Sequence, residues 1–203
     1  MEVNENIRKF IEKNIKLIEN YDLGALDVEA LSLNTEDKNT LCRILRDVEN
    51  SYTWLQNTTA VPFGFFNSDK VDTIIIPCNI KYVYAHAIYN CDINKMVCEE
   101  STDTALVFNS RSIGQSHIKA FITKRDIALR GAMPALYNID EFETNSDVTV
   151  ISASPFRLAY DKNKDIHFTV SKNSMLLYSN GESPDESLAQ HLMNIGFKNV
   201  TVV

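Results

Sequence analysis

The chain has 203 residues, of which 44% are hydrophobic and 23% charged, a composition too apolar for a disordered polymer. Its net charge of −7 excludes a globally basic surface, so nothing in the overall field steers the chain toward nucleic acid or an anionic membrane. Only 6 glycines occur, with no G-x-G and no P-loop pattern, which removes most of the case for a nucleotide-binding fold.

No apolar run approaches the roughly 18 residues of a membrane span. The acidic start, Met1 to Glu5, is unlike a signal peptide. Cys42, Cys78, Cys91 and Cys98 then read as reduced thiols of a cytoplasmic protein. Abundant asparagine fits an AT-rich genome such as that of a low-GC bacterium, a phage or a large DNA virus.

From the N-terminus, Val3, Ile7, Phe10, Ile11, Ile15 and Ile18 recur at three- and four-residue steps and predict an amphipathic helix over 3–18. A short helix is expected over 27–33. Another is expected from Asn34 or Thr35 toward Asn50, with Leu41, Ile44, Leu45 and Val48 on its apolar stripe. After Trp54 the text changes to β-branched and aromatic runs. Strands are expected near 71–76, 80–89, 104–109, 117–123, 148–153, 157–160, 165–171 and 174–178. A short helix is one reading of Ile127–Leu129, and Asp140, Glu141, Glu143 and Asp147 read as an acidic loop. The polar stretch 161–164 and Lys172–Asn173 look like hairpin turns, which favours antiparallel pairing. Ser183, Pro184 and Glu186 read as a capping box that opens a helix over 184–195, and Gly196 reads as its stop. No internal repeat is evident. The fold expected is α+β: N-terminal amphipathic helices (1–56) packed on a mostly antiparallel sheet within a strand-rich body (57–203), closed by a C-terminal helix and short strand.

Several residues carry possible chemistry. Cys78, His86, Cys91 and Cys98 have the right atoms for zinc, but no C-x-x-C knuckle, so buried thiols and a hydrogen-bonded histidine are the simpler reading, and no metal or cofactor is expected. His167 and Thr169 share a strand face. The segment His167-Phe168-Thr169 resembles half of the signature of two-histidine phosphoesterases, in which two H-x-[ST] strands present imidazole and hydroxyl to a phosphate. That resemblance implies catalytic roles for His167 and Thr169, but the second copy is missing: the segments starting at His86 and His117 lack the hydroxyl. Asp161, Asn163 and Asp165 imitate the start of a calcium loop, yet Ile166 stands where glycine is needed. The one cationic stretch, 111–130, offers Arg111, Ser112, Lys119, Lys124, Arg125 and Arg130 for a phosphate, a nucleic-acid backbone or an acidic partner; a solvated face is the simpler reading of the same residues.

With catalytic motifs absent and amphipathic helices in prospect, the function expected is that of a non-catalytic protein-interaction or assembly protein. Its partner is expected to be another protein or a second copy, with no membrane involved. The alternatives are a phosphoester hydrolase centred on His167 and Thr169, and a nucleic-acid-binding module using residues 111–130.

Overall fold

The computed structural model describes residues 51–56, 58–62, 64–67, 70–102, 105–130, 138–151, 163, 165–177 and 185–203. The helices expected over 3–18, 27–33 and 34–50, and the strand expected over 157–160, lie outside them.

The described chain begins with a short helix, α1 (Ser51–Gln56), and then winds in coils. The first coil holds β1 (Ala60–Val61), β2 (Phe66–Asn67) and β3 (Lys70–Ile76). The second holds β4 (Tyr82–Val83), β5 (Ile88–Tyr89) and β6 (Asp92–Cys98), and the third holds β7 (Leu106–Phe108), β8 (Ile113–Gly114) and β9 (His117–Thr123). Next come β10 (Ile127–Arg130) with β11 (Ile139–Thr144), then β12 (Val148–Ile151) with β13 (His167–Val170). The last coil runs through β14 (Met175–Leu177), β15 (Glu186–Ser187), the helix α2 (Leu188–Ile195) and β16 (Val200–Val202).

Strands one coil apart stack into three sheets. The first is seven-stranded, ordered β1-β4-β7-β10-β12-β14-β15. The second is six-stranded, ordered β16-β13-β11-β9-β6-β3, and the third is three-stranded, β2-β5-β8. Every pairing is parallel except β14 with β15. The fold is a parallel β-solenoid, and the expected α+β architecture on a mostly antiparallel sheet is corrected. The reason is physical. Alternation inside a strand looks the same in parallel and antiparallel sheets, and Lys172–Asn173 is a tight turn as expected. That turn, however, carries the chain from β13 in one sheet to β14 in another, not back along a neighbour. The parallel partner arrives a whole coil later.

The absence of an evident repeat is corrected as well. Ala60 pairs with Tyr82, 22 positions on, and Tyr82 with Val107, 25 on. Leu106 pairs with Ile127, 21 on, and Thr149 with Met175, 26 on. A period that drifts this much blurs self-similarity, although each coil is one structural unit. The shared pattern is visible once the strands are superposed. Buried apolar residues fall at Ile93, Met96 and Cys98, and then at Ile118 and Phe121 with Thr123, and Ile139 and Phe142 with Thr144. The three-residue step leaves Asn94, Lys119 and Asp140 together on the outside.

Stacked inward side chains form the core. One column is Val83, Phe108, Leu129, Val150 and Leu176; another is Ile74, Met96, Phe121, Phe142 and Phe168, all buried. The rings of Phe121 and Phe142 stack at 5.4 Å, those of Phe142 and Phe168 lie 6.1 Å apart, and Phe197 closes the column against Phe168 at 4.9 Å.

The corners explain the low glycine count. Gly64, His86 and Arg111 all take positive φ (68°, 54° and 60°) at the same bend of successive coils. Gly64 N–H donates to the His86 carbonyl and His86 N–H to the Arg111 carbonyl, both at 2.9 Å. Asn90 and Gln115 repeat the conformation at the next bend. A left-handed residue other than glycine costs about 1–2 kcal/mol, which the ladder between coils offsets here. At the opposite bend Thr123, Thr144 and Ser171 accept a hydrogen bond from the amide two residues on, a short hydroxyl-anchored turn.

Three local expectations change. Ile127–Leu129 is strand β10, not helix. The acidic residues 140–143 form strand β11, with charges outward and Phe142 inward. The closing helix is capped by Ser187, whose hydroxyl accepts from Gln190 N at 3.2 Å; Ser183 and Pro184 lie outside the described residues. Gly196 ends it at φ 119°, bonding Leu192 and Met193 carbonyls.

Candidate functional site

Two outer faces of the solenoid differ in chemistry. The six-stranded sheet presents Lys70, Asp92, Asn94, Lys95, Lys119, Asp140, Glu141, Glu143 and His167, and two short polar ladders cross its strands along the coil axis. Lys119 Nζ donates to Asn94 Oδ1 at 2.7 Å, and Asn94 Nδ2 donates to Asp72 Oδ1 at 2.8 Å. The bonds from Asn94 and from the Thr73 hydroxyl hold the Asp72 carboxyl below its ordinary range. His117 stands between two carboxylates, with Nδ1 at 3.3 Å from Asp92 and Nε2 at 3.4 Å from Asp140. A protonated imidazole donates to both; a neutral one donates to only one. This face is solvated and carries charges of both signs, with carboxylates in excess.

The seven-stranded sheet is different. One outward row runs Ala60, Tyr82, Val107, Ala128, Thr149, Met175 in strand register and carries no charge. The neighbouring row holds Arg130, Ile151 and Leu177, with Tyr84 and Asn109 continuing it one residue beyond the Val83–Phe108 pair, and Arg130 is its one charge. Tyr82 and Tyr84 are 42% and 38% exposed, with ring centroids 6.4 Å apart and planes within 14°. Aromatic surface of that size left in water is the feature that interfaces use.

The residues singled out from the sequence do not converge. Arg111 is an exposed corner residue held in the left-handed conformation. Ser112 is buried beside it, its amide bonded to the Asn109 carbonyl at 3.0 Å. Tyr89, in register with Gly114, covers that glycine so closely that an added Cβ would stand 2.9 Å from its ring. Lys119 is spent in the polar ladder, and Arg130 lies on the other sheet. Lys124 is exposed and lines a polar cleft of about 530 Å³ with Glu100, Ser101, Thr102, Asp126 and Ser146. Arg125 is only 2% exposed, and its Nη1 donates to the carbonyls of Cys78 (2.9 Å) and Ile80 (3.1 Å), tying two turns together. A buried guanidinium that holds two carbonyls of another turn is a structural brace.

His167 and Thr169 do share the outer face of β13, as alternation requires, with Glu141 and Glu143 as register partners. His117 lies three residues along and two strands across, which is about 10 Å by about 9.6 Å. His86 sits at a corner of the three-stranded sheet, 5.2 Å from the Tyr89 ring. Cys78 is exposed in a turn, while Cys91 and Cys98 are buried at different points of the coil. Among the described residues no group of three histidines, cysteines or carboxylates gathers to hold a metal ion. Asn163 Oδ1 accepts from the Asp165 amide at 3.0 Å, a local turn.

Sequence reasoning missed the uncharged face. Its residues are 21 to 26 positions apart, and only the stacking register brings Tyr82, Val107, Ala128 and Thr149 into one row. Among known proteins no family model, no curated protein and no solved structure matches the chain. Among the described residues no helix is long and apolar enough to cross a membrane.

Proposed function

We propose that this chain is a non-catalytic protein-interaction or assembly protein that engages a protein partner through the outer face of its seven-stranded sheet. One observation carries the reading: the contrast between a densely charged face and a face whose strand residues are tyrosine, aliphatic and small side chains with a single arginine. Solenoids expose extended, rigid faces whose side chains are set by the coil spacing. Such a face is ordered before it meets a partner, so little backbone entropy is lost on binding. The exposed tyrosines supply anchor surface, and Arg130 supplies one oriented charge. A cytoplasmic setting accords with this reading, because Cys78 and Cys98 are free thiols.

The test compares two faces of the same molecule. A photo-crosslinking residue is placed at Tyr84 in one version and at Lys95 in another, and each is irradiated in cells. A protein adduct of defined mass is expected from position 84 and not from 95. Tyr82→Lys with Ile151→Lys should abolish it, and Lys95→Glu with Glu143→Lys should leave it intact. Adducts from position 95 alone, or an adduct at 84 that survives Y82K/I151K, would rule the reading out.

A further inference from the structure

The two sheets end differently at the C-terminal end of the stack. The seven-stranded sheet is closed by β15, a two-residue strand turned antiparallel, and α2 lays Leu188, Ala189 and Leu192 over the core. The six-stranded sheet ends on β16, whose single neighbour in the sheet among the described residues is β13. Asn199 C=O accepts from Phe168 N–H, Val203 N–H donates to Val170 C=O, and Val203 C=O accepts from Lys172 N–H, at 2.8, 2.9 and 2.9 Å. Residues 199, 201 and 203 therefore turn their backbone groups toward β13. By the alternation of a strand, the N–H and C=O of Val200 and Val202 point away from the sheet.

Proteins usually guard such an edge with charge, proline or a bulge. None of these stands at 199–203, where the residues are Asn, Val, Thr, Val and Val. Apolar side chains are also exposed beside this edge. Val202 follows Val170 in the inward column, yet it is 47% exposed, and Met193 on α2, the helix that packs on β16, is 44% exposed. The open groups are moreover self-complementary. A second β16 laid antiparallel about Thr201 puts Val200 opposite Val202 twice. Each of these pairs can exchange both of its N–H···O=C bonds, so all four edge residues are satisfied, with no like charges brought together.

We infer that β16 is a self-association edge, at which two copies of this chain pair antiparallel about Thr201 to make one continuous sheet across a twofold axis. This surface is separate from the partner face proposed above and does not depend on it.

The test is the mass of the purified chain in solution across a concentration series, by size exclusion with light scattering. A rise from the 23.0 kDa monomer toward twice that mass is expected. Val202→Pro removes an outward N–H without touching a bond to β13, and Val202→Lys sets like charges across the axis. Both should return the chain to monomer with an unchanged circular dichroism spectrum. Thr201→Cys provides a readout that does not depend on those variants: mild oxidation should yield a covalent dimer whose peptide map shows a 201–201 disulfide, because paired residues without hydrogen bonds lie about 4.5 Å apart. A wild-type chain that stays at monomer mass throughout overturns the inference. So does a dimer that V202P and V202K leave intact, or one in which T201C forms no such link.

Discussion

Cys98 and Cys78 show how one residue type takes two fates from its place in the coil. Cys98 ends β6 facing inward and is fully buried, and burial pushes its thiol up to about 12 against a weaker opposing pull from Arg125. Cys78 sits exposed in the following turn. At pH 8, iodoacetamide should therefore label Cys78 within minutes and leave Cys98 untouched until denaturant is added, as read by peptide mass mapping. The same shift has a sign for stability. Below the ordinary thiol value both folded and unfolded chains keep the proton, so Cys98 costs nothing. Between about 9 and about 12 the unfolded chain releases its proton and the folded chain does not, so stability falls as pH rises through that window. A urea midpoint that declines above pH 9 in the wild type, and declines less in Cys98→Val, is the expected result. At this scale the sequence was half legible. Buried thiols were expected throughout, yet Cys78 is exposed, because it stands in the gap between the expected strands near 71–76 and 80–89, where the chain turns after β3.

At the scale of the element, strands are set by the inward positions. Phe142 lies between Phe121 and Phe168, stacked on one and tilted against the other. Replacing it with alanine should cost about 3–5 kcal/mol, since the rings above and below are fixed by their own coils and cannot close the gap. Urea unfolding followed by circular dichroism measures it; a loss under about 1 kcal/mol would mean that the column relaxes. The same element shows what pattern reading overlooks. The segment at 139–144 alternates too little and carries too much charge to read as a strand on its own, yet Ile139 and Phe142 repeat the three-residue step of Ile118 and Phe121. The expected strand near 80–89 is two strands, β4 and β5, separated by a corner at His86. Histidine, arginine and glutamine are not turn residues by propensity. His86 and Arg111 hold left-handed corners here because amides and carbonyls of adjoining coils lock them there.

At the scale of the whole molecule, the described strands, β14 with β15 apart, pair only with those of adjoining coils, so strand stability is shared locally along the stack. The α2 cap is the place to test this. Leu192 is fully buried under the last coil, and an aspartate there would bury an unpaired carboxylate, a change in the class that costs several kcal/mol. Leu192→Asp should strip amide-exchange protection from β13, β14 and β16 while β3 and β6 keep most of theirs. Equal loss along the stack would show instead that the coils unfold as one unit.

The amino-acid sequence by itself determined which residues can pair with water and which cannot. It therefore determined that 117–123 and 167–170 are strands with one apolar side, and that Gly196 ends a helix. These are local matters, decided by side-chain period and backbone freedom within a few residues. Only the tertiary structure decided that the strands stack in parallel coils, that Arg125 braces two turns instead of facing solvent, and that Tyr82, Val107 and Ala128 form one row. Those outcomes rest on contacts between residues more than twenty positions apart. The coil length drifts from 21 to 26, so the register is set by core packing and corner hydrogen bonds rather than by any repeat in the text.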